Sequence, residues 1–288
     1  MRILLIGDIV GKPGRTIITS ALPALIRREA LDLVVANGEN AAAGSGLTPA
    51  IYRELLAAGV DCVTLGDHIY RRNEIAGILQ TQSNIVKPAN FPPEAPGREF
   101  ALVTARNGTQ VAVISLLGRV FMRPVDCPWR AADRVLAALP PEVRVILVDF
   151  HAEATSDKQL MGRYLDGRVS AVLGTHTHVA TADEEIFPSG TAFQCDVGMT
   201  GPHASILGRR IDRVWETTLT FQPTQFEVAN GDVRLNGSIV DIDPQTGKAL
   251  AIRRLRVTSQ QADEWASQSA DGQAPVPAQA PAGASEAE

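Results

Sequence analysis

Short apolar runs set the rhythm of the first half of the chain: RILLIG at 2–7, DLVVA at 32–36, DCVTL at 61–65, VAVISL at 111–116, VRVILV at 143–148 and VSAVL at 169–173. Their apolar residues are consecutive rather than alternating, the pattern of strands covered on both faces. Between them the period lengthens to that of a helix. Residues 15–30 place Ile18, Leu22, Leu25 and Ile26 roughly on one face, and residues 48–58 open with Thr-Pro before IYRELLAA. Residues 128–139 and 156–165 read as two further helices. Strands alternating with helices predict an α/β layer architecture with a largely buried sheet.

Beyond about residue 185 the texture changes. Segments 185–187, 191–195, 213–221, 226–229 and 233–243 read as shorter strands, with turns at Ser189-Gly190, Asn230-Gly231 and Asn236-Gly237. They predict a second, mostly antiparallel sheet packed on the first without a linker. From Ser259 the composition shifts to Ala, Pro, Gln, Ser, Gly and acid, with Trp265 and Val276 as the large apolar residues. Such a segment buries too little to offset its ordering entropy. The expected organisation is one folded domain over 1–258 and a disordered acidic tail over 259–288.

Charge narrows the function classes. Lys+Arg number 27 against 32 Asp+Glu, a formal charge of -5. The tail holds five of the acids and no base, so the body is formally neutral. A neutral body excludes a protein that coats extended nucleic acid by neutralising phosphates, and leaves a small nucleotide ligand open. Cys62, Cys127 and Cys195 are an odd set in a chain too long to need a disulfide framework, and read as reduced thiols. The apolar run Ile3–Ile6, stopped by Gly7 and Asp8, is too short for a signal-peptide core or a membrane span. The expectation is a cytoplasmic protein with no membrane partner; a homo-oligomer is compatible with the sequence.

The candidate chemistry lies where apolar runs end. Of five histidines, four stand there: His68 after VTLGD, His151 after ILVDF, and His176 and His178 in GTHTH after AVL. Asp8 follows ILLIG, Glu39 and Asn40 follow LVVANG, and Asp67 precedes His68. The carboxyl ends of parallel strands open on one edge, where ligands bind. Parallel neighbours would therefore bring all eight residues together. Each alone reads as a turn former, a helix cap or a core histidine, but chance does not explain the combination. His-x-His on an extended segment would point both rings to one side, as two ligands of one cluster require. Imidazole with carboxylate oxygen suits manganese, iron or zinc, and the lack of a nearby Cys pair argues against a structural zinc site. The donors exceed what one ion needs. Two ions, ~3.5 Å apart and bridged by a carboxylate, are the arrangement that supports in-line phosphoryl displacement.

The succession GD (Asp8), GEN (Glu39, Asn40), GDH (Asp67, His68), DFHAE (His151) and GTHTH (His176, His178) resembles the calcineurin-like metallophosphoesterases. It is closest to their YmdB-type branch, bacterial cyclic-nucleotide phosphodiesterases. GDIVGKPGR at 7–15, LLGRVFM at 116–122, DFHAEATSDK at 149–158, GTHTHVATAD at 174–183 and GMTGPHASILG at 198–208 extend the resemblance over residues 1 to about 257. It implies a metallophosphoesterase-type four-layer α/β/β/α sandwich. It also implies hydrolysis of 2′,3′-cyclic nucleotides, or of other phosphodiesters, by two transition-metal ions. By motif, Asp8, Glu39 and His178 would hold one ion; Glu39 would bridge to a second held by Asn40, Asp67, His151 and His176. A hydroxide between the ions would attack phosphorus while His68 acts as general acid.

Two departures stand out. Val10 occupies the position of the histidine in the wider superfamily's Asp-x-His, as in this branch. Asp67 stands where the family pattern has Asn, which adds a third carboxylate. That charge should hold cations more tightly yet repel an anionic substrate. Alternatives are a phosphomonoesterase or another phosphodiesterase with the same centre, or a nucleotide-sensing regulator weakened by Asp67. Arg119 and His203 are candidate substrate contacts. GDIVGKPGRT fails the phosphate-loop pattern because Pro13 follows Lys12. Cys195 reads as a small buried residue rather than a nucleophile.

Overall fold

The computed structural model of the chain describes residues 1–270. Strands β1 (Arg2–Ile6), β2 (Leu33–Asn37), β3 (Cys62–Thr64) and β4 (Ile85–Val86) pair in parallel in that order, Ile3 beside Leu33, Val35 beside Cys62 and Val63 beside Ile85. A second sheet begins with β5 (Phe100–Thr104) antiparallel to β6 (Gln110–Leu117), then runs in parallel through β7 (Val145–His151) and β8 (Ala171–Thr175). It closes with β9 (Glu185–Ile186) and β10 (Ala192–Gln194); β10 lies parallel to β8 and antiparallel to β9. The chain then returns to the first sheet. β11 (Gly201–Pro202), β12 (Val233–Ile242) and β13 (Ala249–Thr258) add to it, with β12 antiparallel to β1.

The consecutive apolar runs are explained by this layering, because each strand buries both faces. Ile3, Leu5, Leu33 and Val35 face the second sheet and meet Val111, Val113, Leu147 and Leu173. Their neighbours Leu4, Ile6, Val34 and Ala36 face outward under α1 (Gly11–Glu29), α2 (Pro49–Ala57) and α3 (Ile75–Thr81). Ile114, Val148 and Phe150 carry α4 (Pro128–Ala138) and α5 (Thr155–Tyr164) on the opposite side. Three apolar layers separate four structural ones, the expected α/β/β/α sandwich. At α2 the Thr-Pro signature acts as read: Thr48 Oγ1 accepts from Ile51 N at 3.3 Å, and Pro49 sits in the first turn, where a missing N–H costs nothing.

Several expectations are corrected. The six apolar runs do not form one sheet: 2–7, 32–36 and 61–65 belong to the first, 111–116, 143–148 and 169–173 to the second. The later strands do not form a separate antiparallel sheet but complete these two. Residues 213–221 fall largely in a helix, α6 (Ile211–Thr220), whose β-branched residues suggested a strand; no residue of α6 is buried, so tertiary packing does not show in its pattern. Segment 226–229 contributes one isolated bridge, Val228 with Arg209, and Asn236-Gly237 lies inside β12. The tail was expected to be disordered from Ser259, yet 259–270 form α7 (Ser259–Ala270). Ala262 is buried, Trp265 packs against the α1 layer, and the Arg28 guanidinium lies 4.9 Å over the Trp265 ring. Two apolar side chains one helical turn apart suffice to dock the segment. The rest of the expected tail, 271–288, lies outside the described residues. Among the described residues no helix is long and apolar enough to cross a membrane.

Candidate metal centre

The carboxyl ends of the parallel strands in both sheets open on a common edge. Asp8 leaves β1, Glu39 and Asn40 leave β2, and Asp67 and His68 leave β3. From the facing sheet His151 ends β7, while His176 and His178 follow β8. One ligand atom from each of Glu39, Asp67, His151 and His176 lies within 4.8 Å of the others. His151 Nε2 is 3.2 Å from both Glu39 Oε1 and Asp67 Oδ1, and 3.0 Å from His176 Nδ1. Beside this group His178 Nε2 stands 3.7 Å from Asp8 Oδ1. Asn40 links the two: its amide nitrogen is 3.1 Å from Glu39 Oε1, 3.4 Å from Asp8 Oδ1 and 3.3 Å from His178 Nε2. Gly66 must be glycine, because a Cβ there would collide with the His151 ring and the Glu39 carboxylate.

Each imidazole is turned toward the centre by a bond at its other nitrogen, the support that metal-ligating histidines use. His151 Nδ1 is 2.8 Å from Thr175 Oγ1, which donates to buried Asp149 at 2.6 Å. Asp149 also accepts from Thr64 Oγ1 and Asn37 Nδ2. His178 Nδ1 donates to the Leu207 carbonyl at 3.1 Å, and His176 Nε2 lies 3.2 Å from Glu153 Oε2. The two GTHTH imidazoles are not on an extended segment as expected: His176 and His178 have φ of 97° and 65°. Between them Thr177 is pinned by Asp196 Oδ2, which accepts from Thr177 N at 3.0 Å, Thr177 Oγ1 at 2.8 Å and Lys158 Nζ at 2.7 Å.

The electrostatics follow from packing anions and imidazoles at a largely buried edge. Burial pushes the Asp8 carboxyl up, but the His178 hydrogen bond and the charges of His178 and His151 outweigh it and hold it below the usual range. Asp67 is treated alike: burial opposes, and His151, with His68 and His176, holds it low. His151 is raised well above an ordinary imidazole, as Glu39, Asp67 and Asp8 overcome its burial. His176 is lowered by burial and by the charge of His151. Asp149, behind the site, is pushed up to about 6, chiefly by burial. A surplus of carboxylates that draws protons onto imidazoles is the donor chemistry that fits divalent cations.

All eight strand-end candidates are therefore brought together. Arg119 and His203 are not. Arg119 is exposed, with its guanidinium 5.7 Å over the Trp129 ring. His203 is turned away, its Nδ1 donating to Gly201 O at 3.0 Å and its Nε2 facing Asn236 Nδ2 at 3.0 Å. Neither lines the cavity of about 360 Å³ over the centre, which is walled by Glu39, Asn40, His68, Glu153, Thr177 and the two GTHTH imidazoles together with Val10, Leu207, Arg209 and Phe226. Asp149, Glu153, Lys158 and Asp196 were missed as supporting residues. The first three lie inside DFHAEATSDK, the segment already singled out for His151; nothing local marked Asp196.

The architecture is shared with YfkN of Bacillus subtilis, a calcineurin-like phosphoesterase, at a TM-score of 0.51 over 94% of this chain and 97% of that one, with 12% identity. At that identity the likeness is one of fold alone. The chain belongs to the YmdB-like protein family, whose model it matches over residues 4–255. It is 46% identical over 257 residues, 89% of this chain and 97% of the relative, to a protein of Bacillus subtilis (strain 168) named 2′,3′-cyclic-nucleotide 2′-phosphodiesterase. A solved structure from Mycoplasma pneumoniae, titled a novel phosphatase, superposes with a TM-score of 0.83 at 30% identity, covering 90% of this chain and 93% of that one. The chain is a hydrolase of the phosphoesterase class.

Proposed function

We propose that the chain is a cytoplasmic phosphodiesterase that hydrolyses 2′,3′-cyclic nucleotides at a binuclear metal centre. The observation that carries this reading is the convergence of four acidic or imidazole donors within 4.8 Å, two of which, Glu39 and His176, line a cavity, with Asp8 and His178 alongside. The name of the 46% identical relative supports the substrate class. Asp8, Glu39 and His178 would hold one ion, and Glu39, Asn40, Asp67, His151 and His176 the other; iron and manganese suit this donor set best and zinc is compatible. When bound, such ions neutralise charge developing on the phosphoryl oxygens and make water acidic enough to supply a nucleophile near neutral pH.

The chain's own residues do the rest. His68 stands at the cavity wall with Nδ1 2.7 Å from Asn40 Oδ1, which leaves Nε2, 3.8 Å from Asp67 Oδ2, as the nitrogen that would hold a proton toward substrate. As the phosphorus–oxygen bond to the ribose breaks, protonated His68 delivers that proton to the departing oxygen. Thr175 and Asp149 keep His151 from rotating, and Leu207 does the same for His178. Purified without added metal, the protein should carry two metal equivalents by elemental analysis. It should hydrolyse 2′,3′-cyclic AMP in preference to p-nitrophenyl phosphate and bis(p-nitrophenyl) phosphate. His68→Ala should retain its metal and lose about 10²–10⁴ in turnover. Loss of metal in that variant would make His68 a ligand. Faster monoester cleavage would make the enzyme a monoesterase, and metal-replete protein that binds cyclic nucleotide without cutting it would make it a sensor.

A further inference from the structure

The lining of the cavity over the centre is of two kinds. One is polar: Glu39, Asn40, His68, His176 and His178, with Glu153, Thr177 and Arg209. The other is apolar, formed by Val10, Ile206, Leu207, Val214 and Phe226. Ile206, Leu207 and Phe226 are 40%, 51% and 43% exposed. Single exposed apolar side chains need no explanation, but these converge on one concave site. The volume of about 360 Å³ lies within the range of small-molecule sites.

The wall is held in place, and held relative to the donors. Leu207 has φ of 50°, a conformation its side chain disfavours, and its carbonyl accepts from His178 Nδ1 at 3.1 Å. The residue that orients a proposed ligand thus also presents a side chain to the cavity. Arg209 Nη1 donates to Phe226 O at 3.0 Å and to Ala43 O at 3.1 Å, and Nη2 donates to Gly44 O. The guanidinium therefore latches the segment carrying Phe226 to the loop that follows Glu39 and Asn40.

We propose that Val10, Ile206, Leu207, Val214 and Phe226 form the subsite for the nucleobase, with Arg209 as the positioning residue that sets the wall against the donors. This rests on the proposed reaction, in which the phosphate is seated at the donor side and the base must lie beside it. The five apolar side chains offer no hydrogen-bonding group, and the Arg209 guanidinium beside them is engaged by the Ala43, Gly44 and Phe226 carbonyls, so the subsite takes a base chiefly by contact area. Purines should bind a few-fold better than pyrimidines, within the modest discrimination that apolar pockets achieve.

The test uses the metal-loaded full chain and two product-like probes, adenosine 3′-phosphate and methyl ribofuranoside 3-phosphate, which differ by the base. Calorimetry should show the adenosine compound binding about tenfold more tightly to the native protein, and Phe226→Ala and Leu207→Ala should each remove most of that advantage. In turnover, Phe226→Ala should raise KM for 2′,3′-cyclic AMP about fivefold to thirtyfold, with a far smaller change in kcat. Metal content should be unchanged, which separates loss of the wall from loss of the centre. Equal affinity of the native protein for the two probes would overturn the proposal, as would variants that weaken both probes alike. A native protein that discriminates between the probes yet cuts no cyclic nucleotide would refute the proposed reaction and leave the subsite standing.

Discussion

Asp67 departs from the resembled pattern, and its surroundings show what the departure does. Its Oδ1 lies 3.2 Å from His151 Nε2 and 3.5 Å from His176 Nδ1, so the extra charge is placed among the donors rather than at the rim. Asp67→Asn would remove one negative charge from a site that, in the proposed reaction, admits an anionic phosphodiester. Turnover at full metal occupancy should therefore rise, and steady-state kinetics showing it unchanged or lower would count against this electrostatic argument. The cysteines make a second prediction. Burial pushes the thiols of Cys62 and Cys195 above the ordinary value, so at any given pH their thiolate fraction falls, while Cys127 is only half-buried. A thiol reagent at pH 8 should label Cys127 in the native protein and reach the other two only on unfolding, as mass spectrometry can count. The clustered donor residues were legible in the sequence because their positions follow from local grammar: a polar residue directly after an apolar strand can only stand at that strand's end. Arg119 satisfied the same grammar and still lies elsewhere, since a strand end specifies an edge but not the direction of a side chain.

At the scale of elements, the two-histidine loop owes its shape to a distant ion pair. Lys158 on α5 and Asp196 after β10 are both buried, and Asp196 receives Thr177 N and Oγ1 on one oxygen and Gly198 N on the other. Left-handed backbone at His176 and His178 persists only when its surroundings over-determine it. Asp196→Asn leaves Lys158 charged and unpaired in the interior, which should lower the unfolding free energy by about 3–5 kcal/mol. Urea denaturation of native and variant protein measures it. Two elements that sequence reading missed show why local pattern failed there. β13 carries Arg253, Arg254 and Arg256, so its apolar positions are interrupted, and it reads as polar although it pairs with β12 along its length. In α6, Ile211, Trp215 and Leu219 repeat at helical spacing, but Thr and Val weighed toward a strand and no burial reinforced the helix.

For the whole molecule, the C-terminal boundary lies later than composition suggests. Average hydrophobicity over a long Ala- and Pro-rich stretch conceals the one turn that packs, and α7 docks on α1 through Ala262 and Trp265. Trp265→Ala should cost about 1–2 kcal/mol of stability, seen as a lower urea midpoint with the same slope; an unchanged midpoint would mean that the docking contributes nothing. Sequence alone determined which segments are strands buried on both faces, which helices separate them, and which residues carry donors at their ends, because periodicity and residue chemistry are local properties. Tertiary structure alone decided that the strands divide between two sheets, that the carboxyl edges of those sheets face each other, and that the late strands complete both. Pairing partners are chosen by fit between surfaces far apart in the chain, and an apolar run carries no mark of which other run it will meet. The donors came together across a seam between sheets because packing two double-faced layers leaves their polar strand ends with one shared edge.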